Sequence, residues 1–206
     1  MKKKSRCVAV VLAGGRGRRM GTTLAKQYLP IPDKPVLYYT MKVFEDSEVI
    51  DEVILVVGKG HIPYCRREIV EKYQFRKVTA IVEGGKERYH SVWQALRILE
   101  RENMQKGYVF IHDGTRPFIS EEILERAYRE VCRSGACVVG MPVKDTIKIA
   151  DEKGCINTTP KRSLVWQIPT PQVFSSDLII PAYREVIAKE KELLARGIQI
   201  TDDAMV

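Results

Sequence analysis

Short apolar runs alternate along the chain with longer amphipathic stretches. The runs lie at 7–12, 53–57, 78–82, 108–111 and 136–141, and the first, second and fifth are almost entirely apolar. Runs of this kind are typical of strands that are buried on both faces of a sheet. Because helix-length stretches separate them, we predict an α/β fold with a mostly parallel sheet and right-handed crossovers.

Five stretches outside these runs have the apolar spacing of amphipathic helices. The clearest begins after Ser120, a typical N-cap residue, and ends at Gly135, a typical helix stop. The other predicted helices follow Pro35 or lie at 62–73, 87–101 and about 176–195, where Pro181 falls near the first turn. Helices of this length are long enough to connect parallel strands.

The alternation stops between 143 and 171, where turn-forming residues and prolines separate short extended pieces. We predict a β-arm or hairpin at 145–165 that protrudes from the sheet. Neither an internal repeat nor a linker divides the chain, and its 206 residues suit one domain. We therefore expect a single domain over residues 1–206.

The charge of the chain narrows the class of partner. Its 34 basic and 26 acidic residues give a net charge of +8, which suits nucleic acid or a small polyanion such as a nucleotide. Proteins that bind nucleic acid tend to cluster their cations with aromatic residues, whereas here the cations are spread along the chain. We expect a phosphorylated small molecule as the partner and no nucleic acid, and RNA binding is kept as an alternative explanation of the basic charge.

The sequence also indicates a compartment. Residues 1–6 are basic, but the apolar stretch that follows is too short for a signal peptide. No run approaches the roughly 20 apolar residues of a membrane helix. The five cysteines include neither a CxxC pair nor a zinc-binding spacing. We therefore expect a cytoplasmic protein with free thiols and no membrane partner.

The strongest local signal is the glycine-rich segment LAGGRGRRMG at 12–21, directly after the first strand. Glycines let the backbone come close to a ligand, and successive N–H groups form a cradle for an anion. The segment is not a Walker loop, because no GK[ST] follows, and Met20 replaces the third glycine of a dinucleotide fingerprint. Its three arginines together with Lys26 indicate a triphosphate whose charge must be neutralised during a reaction.

Further candidate loops follow later strands, at 83–91, 112–118 and 142–148. The carboxyl ends of parallel strands meet at one edge of a sheet, and ligands of such folds bind there. Gly85 and Ser91, near the start of a helix, supply backbone and hydroxyl groups that can read the edge of a base. An ordinary strand-to-helix turn is the alternative for this segment.

Asp113 lies at the tip of the fourth strand, in the segment HDGTRP. A carboxylate at this position is well placed to hold Mg²⁺ against phosphates. Arg116 can bind a second phosphate bidentately, unless it forms a structural pair with Asp113. We expect His112 to be packed at the strand end rather than to act as a base. The sequence shows no Ser-His-Asp or Cys-His pattern, so we expect no covalent intermediate.

Seven blocks of the chain, taken together and in order, resemble the 2-C-methyl-D-erythritol 4-phosphate cytidylyltransferases of the non-mevalonate isoprenoid pathway. The blocks are LAGGRGRRMG, KQYLPI, VEGGKERYHSV, HDGTRPF, PVKDTIK, TPQVF and TDDA, and the resemblance runs from about residue 7 to 206. It implies a Rossmann-like nucleotidyltransferase fold, which is a three-layer sandwich with a protruding β-arm. It also implies a homodimer whose arms interlock, the use of CTP with Mg²⁺, and the release of pyrophosphate.

The resemblance implies roles for individual residues at matching positions. Arg19 and Lys26 would grip the triphosphate and stabilise the transition state, and Asp113 would bind magnesium. The residues that would bind the nucleotide are Ala13, Gly14, Gly15, Gly17, Gly85 and Ser91. The residues that would bind the sugar phosphate, some of them from the partner subunit, are Arg116, Thr146 and Arg162.

Two alternatives to this function stay open. The sister group that acts on ribitol 5-phosphate shares the glycine loop, KQ-L-P, HD--RP and TPQ, although PVKDTIK and TDDA resemble the methylerythritol enzymes more. The other alternative is a non-catalytic nucleotide-binding protein, and the presence of Arg19, Lys26 and Asp113 argues against it. The family continues past TDDA with a strand, a lysine-bearing segment and a closing helix, and we expect that segment to be absent from these 206 residues.

Overall fold

The computed structural model describes residues 4–15, 25–104 and 106–206. In chain order the strands are β1 (Arg6–Ala13), β2 (Pro30–Ile31), β3 (Lys34–Pro35), β4 (Glu52–Val57), β5 (Val78–Glu83), β6 (Gly107–Asp113), β7 (Ala136–Val138), β8 (Met141–Pro142), β9 (Ile149–Ala150), β10 (Ile156–Thr158), β11 (Trp166–Gln167) and β12 (Gln172–Ser175). The α-helices are α1 (Val36–Asp46), α2 (Ile62–Cys65), α3 (Arg88–Arg101), α4 (Glu121–Ser134), α5 (Ser176–Ala188) and α6 (Glu190–Ala195). Short 3-10 helices cover Lys26–Tyr28, Arg162–Leu164 and Asp203–Met205, and a π-helical turn covers Arg66–Glu71.

A six-stranded sheet forms the centre of the molecule, in the order β5-β4-β1-β6-β12-β7. The first four strands of this order are parallel to one another. β12 runs antiparallel to both β6 and β7. The predicted α/β fold with a mostly parallel sheet is therefore confirmed.

Each of the five apolar runs forms a strand of the central sheet, although the last strand is shorter than predicted, and the sheet contains a sixth strand, β12, that was not predicted. The last run, expected at 136–141, ends as a strand of the central sheet at Val138. β12 was not predicted because it has only four residues and continues directly into α5. So short a strand shows no periodicity, and its place between β6 and β7 makes that side of the sheet mixed.

α4 begins and ends where its capping residues predict. The Ser120 hydroxyl accepts a hydrogen bond from the N–H of Ile123, and Gly135 ends the helix in the left-handed conformation, with φ of 79°. A residue with a Cβ is strained at this φ, so glycine is the residue that suits this end of the helix.

Two other predicted helices are interrupted. Residues 62–73 form α2 followed by the π-helical turn instead of one α-helix. The stretch at 176–195 is divided at Lys189 into α5 and α6, and Pro181 lies inside α5 instead of in its first turn. None of the helices in the described ranges is long and apolar enough to cross a membrane.

β1 is buried on both faces, and its alternating side chains contact two separate helical layers. Cys7, Ala9 and Val11 belong to one apolar cluster, and Val8 and Val10 belong to the other. The first cluster includes Leu37 and Phe44 of α1 with Leu124 and Val131 of α4, and the second includes Leu96 and Leu99 of α3 with Ile179 and Tyr183 of α5. The expected three-layer sandwich is therefore present, with the sheet between two layers of helices.

The predicted arm contains two short antiparallel pairs. β8 pairs with β11 nearer the sheet, and β9 pairs with β10 farther along the arm. Between residues 144 and 168, all but Ile147, Pro160 and Val165 are exposed. The hairpin predicted at 145–165 is thus present, and its pairing extends outward to 141 and 167.

We expect Ser120→Ala to lower the free energy of unfolding by about 1 kcal/mol, because it removes the acceptor for the first turn of α4. Ser175 supplies a matched control, since it precedes α5 but makes no side-chain hydrogen bond to that helix. Urea denaturation of Ser120→Ala and Ser175→Ala measures both changes. Equal losses in the two variants would contradict the capping role of Ser120.

Candidate active site

A cavity of about 760 Å³ opens at the carboxyl ends of β1, β5 and β6. It brings together seven predicted site residues, which are Ala13, Gly14, Gly15, Lys26, Gly85, Ser91 and Asp113. Leu12, Gln27, Lys86, Glu87, Arg88 and Thr115 complete its described lining. Gly17 and Arg19, also predicted for the site, lie outside the described residues.

Lys26 reaches the cavity because the next residue, Gln27, is hydrogen-bonded to the end of β1. The Gln27 side chain is buried, and its Nε2 donates a hydrogen bond to the Ala13 carbonyl at 2.6 Å. A Cβ added at Gly15 would lie 4.0 Å from the Lys26 Cε atom, which places the lysine side chain beside the glycine loop. The predicted association of Lys26 with that loop is therefore present.

The loop after β5 is held by Ser91. Its hydroxyl accepts a hydrogen bond from the Gly85 N–H at 3.1 Å and donates one to the Glu87 carbonyl at 3.2 Å. A Cβ at Gly85 would approach the His90 Cβ to 2.3 Å, so no larger residue fits without moving the loop. Ser91 therefore shapes this wall of the cavity, and its contact with a base stays a prediction.

A second cavity of about 160 Å³ adjoins the first and shares Gly14, Gly15 and Gly85 with it. Its other wall is the loop after β4, which contributes Lys59 and His61. The Gly60 N–H donates to Glu83 Oε1 at 2.6 Å, so the loops after β4 and β5 are joined. This wall was not predicted from the sequence, because the segment VGKGH after β4 carries no motif beyond glycines that follow a strand.

Asp113 ends β6 with its carboxylate between two guanidinium groups. Its Oδ2 accepts a hydrogen bond from Arg116 Nε at 3.0 Å, and its Oδ1 lies 3.6 Å from Arg88 Nε. Its N–H donates to the Thr170 hydroxyl at 3.1 Å. The structural Asp–Arg pair, given above as the alternative for Arg116, is thus present.

The chemistry of Asp113 fits magnesium. Mg²⁺ prefers oxygen ligands and is often bound through one or two carboxylates together with substrate phosphates. In the described part of the chain, no three His, Cys, Asp or Glu residues are grouped as a metal site. A magnesium ion at Asp113 would therefore take its other ligands from phosphate oxygens and water.

His112 is packed at the end of β6, as predicted. It is buried against Phe44, and its Nε2 lies 3.0 Å from the Arg116 carbonyl. Burial lowers the pKa of His112 to about 4. The neutral ring can donate to that carbonyl and so holds the turn that carries Asp113.

The three predicted sugar-phosphate residues do not line the described cavity. Arg116 is beside it, paired with Asp113. Thr146 and Arg162 lie on the exposed arm, where Arg162 Nη1 donates to the Lys144 carbonyl at 3.3 Å. Their predicted role in binding the sugar phosphate therefore stays a prediction.

Arg88 is a cavity residue that the sequence analysis did not single out, although it lies in the block VEGGKERYHSV. Its Nη1 donates to Asp203 Oδ1 at 2.7 Å, across 115 residues of sequence. No local pattern predicts a pair this distant. Both residues lie in sequence blocks on which the family resemblance is based. The resemblance was therefore the available signal that these two positions matter.

The sequence matches a family model described as IspD, 2-C-methyl-D-erythritol 4-phosphate cytidylyltransferase, over residues 7–206. A protein with that enzyme name from Lachnospira eligens is 48% identical over 198 residues, which is 96% of this chain and 83% of the relative. Another from Alkaliphilus oremlandii is 41% identical over 206 residues, which is 100% of this chain and 83% of the relative. The solved 4-diphosphocytidyl-2C-methyl-D-erythritol synthase of Anaerococcus prevotii aligns with a TM-score of 0.79 at 30% identity, over 98% of this chain and 80% of that chain.

We expect Gly85→Ala to weaken CTP binding by about tenfold or more, because a displaced loop loses its alignment with the ligand. Gly58→Ala is a matched control in the neighbouring loop, where the atoms nearest to an added Cβ are 3.7 Å away. Calorimetric titration with CTP measures both affinities, and a melting curve shows that each variant is folded. Equal affinities in the two folded variants would contradict the steric argument.

Proposed function

We propose that this chain, which belongs to the 2-C-methyl-D-erythritol 4-phosphate cytidylyltransferase family, transfers the cytidylyl group of CTP to 2-C-methyl-D-erythritol 4-phosphate. The products are CDP-methylerythritol and pyrophosphate. The family resemblance noted in the seven sequence blocks is confirmed. The names of the relatives favour the methylerythritol acceptor over ribitol 5-phosphate, and an enzyme over a non-catalytic nucleotide-binding protein.

The observation that carries the proposal is that Lys26 and Asp113 line the same cavity as Gly14 and Gly15. A glycine loop offers backbone N–H groups to phosphates, the ammonium neutralises phosphate charge, and the carboxylate suits a metal ion bound to phosphate. These groups come from distant parts of the sequence. Their meeting in one cavity is what a metal-bound nucleoside triphosphate requires.

The reaction joins a phosphate oxygen of the acceptor to the α-phosphorus of CTP, while the bond from that phosphorus to pyrophosphate breaks. A phosphate monoester dianion is already a nucleophile, so a strong general base is not needed. Lys26 would stabilise the negative charge that gathers on the α-phosphate in the transition state, and alignment would supply much of the remaining rate.

We also propose Asp113 as the protein ligand of Mg²⁺. A bound magnesium ion would neutralise phosphate charge and orient the triphosphate. Arg116 is 52% exposed at its side chain, so it can leave Asp113 and bind the phosphate of the acceptor instead.

A homodimer formed through the arm would complete the acceptor site. Thr146 and Arg162 lie on the arm and are not among the described lining residues of the two cavities of their own chain, as expected of residues that serve a partner's site. The arm also exposes Ile149, Ile156, Leu164 and Trp166, of which Leu164 is 76% exposed. Apolar side chains clustered on an exposed hairpin are typical of a surface that another protein covers.

We place the reaction in the cytoplasm, where CTP is supplied. The cysteines agree with that placement, because all five, each of them within the described residues, are free. Free thiols are usual in a reducing compartment.

Pyrophosphate release tests the function. The chain is incubated with CTP and Mg²⁺, and then with 2-C-methyl-D-erythritol 4-phosphate, with ribitol 5-phosphate, or with neither. We expect release with the methylerythritol phosphate. Faster release with ribitol phosphate would establish the sister activity, and CTP binding without release in any mixture would establish a non-catalytic nucleotide-binding protein.

We expect Lys26→Ala to lower kcat by about a hundredfold or more and to weaken CTP binding much less, because the charge it balances is largest in the transition state. Lys42→Ala removes an exposed lysine of α1, outside the cavity, and should change neither quantity. Steady-state kinetics and calorimetric CTP titration measure the two effects. A loss of CTP affinity as large as the loss of kcat would contradict the role in the transition state.

We expect Leu164→Glu together with Trp166→Glu to convert the dimer into a monomer, because burying charged side chains at an apolar contact is energetically unfavourable. Leu194→Glu in α6 is a matched control, since Leu194 is also exposed but lies outside the arm. Sedimentation velocity measures the state of each variant. A dimer that survives the arm substitutions, or an unaltered protein that is monomeric, would refute the role of the arm.

A further inference from the structure

The Asp203 carboxylate is buried and contacts Arg88, a residue that lines the larger cavity. Its side chain is 0% exposed, and its Oδ1 accepts hydrogen bonds from Arg88 Nη1 and from the Tyr183 hydroxyl. Its Oδ2 is also buried and has no hydrogen-bond partner among the described residues. Removing a carboxylate from water is unfavourable unless hydrogen bonds and charged partners compensate for the lost hydration. A buried acid with one unsatisfied oxygen therefore calls for a physical reason.

The backbone beside Asp203 is fixed independently of the carboxylate. The N–H groups of Asp203 and Ala204 donate to Gln172 Oε1 at 2.9 and 3.1 Å. Gln172 is itself buried in β12, next to β6 in the sheet. Asp203 is therefore a rigid anchor whose position is set by the central sheet.

Arg88 connects this anchor to Asp113. Its Nη1 is 2.7 Å from Asp203, whereas its Nε is 3.6 Å from Asp113 Oδ1. The first distance is that of a strong hydrogen bond, and the second is too long for one. The guanidinium is thus held by Asp203 and only attracted by Asp113.

Arg116 makes the opposite kind of contact with the same carboxylate. Its Nε is 3.0 Å from Asp113 Oδ2, and its side chain is largely exposed. Exposed ion pairs contribute little free energy, so Arg116 can be displaced by a ligand at small cost. Asp113 therefore has one close partner that can leave and one restrained partner that stays at a distance.

We infer that Asp203 is a positioning residue for the metal site, acting through Arg88. By holding the Arg88 guanidinium, it prevents a direct Arg88–Asp113 hydrogen bond and leaves Asp113 Oδ1 available to a divalent cation bound to phosphate. The inference rests on the proposed role of Asp113 as the magnesium ligand. It gives a reason for the burial of the Asp203 carboxylate, which packing alone does not explain.

Asp203→Asn tests the inference without turnover. Calorimetry of the 206-residue chain with CTP, in the absence of acceptor, gives a Kd in saturating Mg²⁺ and another in EDTA. The factor between them is the contribution of the metal to CTP binding. We expect Asp203→Asn to reduce this factor about tenfold, as losses of residues that orient metal ligands do, because the released Arg88 then competes with the metal for Asp113. The Kd in EDTA should change little.

Two further variants separate positioning from packing. Arg88→Gln combined with Asp203→Asn removes both charges, so the metal factor should return to the original value or exceed it. Glu100→Gln removes a carboxylate that pairs with Arg184 between α3 and α5, outside the site, and should leave the factor unchanged. Melting curves establish which variants are folded, and if Asp203→Asn alone is not, the double variant decides.

An unchanged metal factor in folded Asp203→Asn, or a lowered factor in the double variant, would overturn the inference. A loss of CTP affinity in EDTA would overturn it too, because Arg88 would then contact the nucleotide directly. Asp113→Asn tests the premise separately. If that variant keeps the full metal factor, the proposed magnesium ligand is wrong, whatever the result at Asp203.

Discussion

The burial of β1 between two parallel neighbours is the constraint on which the rest of the structure depends. Residues 7–11 are completely buried, and the strand contacts a helical layer on each face. Because β4, β1 and β6 run in the same direction, the loops that follow them emerge at one edge of the sheet. That geometry alone brings the glycine loop and Asp113 to a common cavity. The Gln27 side chain donates a hydrogen bond to the last carbonyl of β1 and so places the neighbouring Lys26 at the same cavity.

The charged groups around Asp113 contact one another. Asp113 faces Arg88 and Arg116, and Arg88 is shared with Asp203. The pairs differ in exposure, and exposure decides which contacts can be exchanged for phosphate or metal. The site therefore combines an anchored part around Asp203 with an exchangeable part around Arg116.

Local sequence signals predicted the elements that local interactions determine. The five apolar runs became strands because burial on both faces demands continuous apolar sequence, and Ser120 and Gly135 marked the ends of α4. β12 and the division of the last helix at Lys189 were missed, since a four-residue strand has no period and the break between α5 and α6 carries neither glycine nor proline. The Arg88–Asp203 pair joins residues 115 positions apart, and no pattern of spacing reports such a contact. We propose that Thr146 and Arg162 serve the acceptor site of a second chain, and a single sequence does not position one chain against another.

We propose that one cavity holds the CTP triphosphate between the glycine loop, Lys26 and Asp113. The most direct measurement is a crystal structure of the chain with CTP and Mg²⁺ in the absence of acceptor. We expect phosphates against the backbone N–H groups of Gly14 and Gly15, the Lys26 ammonium on the α-phosphate, and the metal at Asp113. A nucleotide bound elsewhere on the molecule, or bound here with Lys26 and Asp113 both turned away from its phosphates, would contradict it.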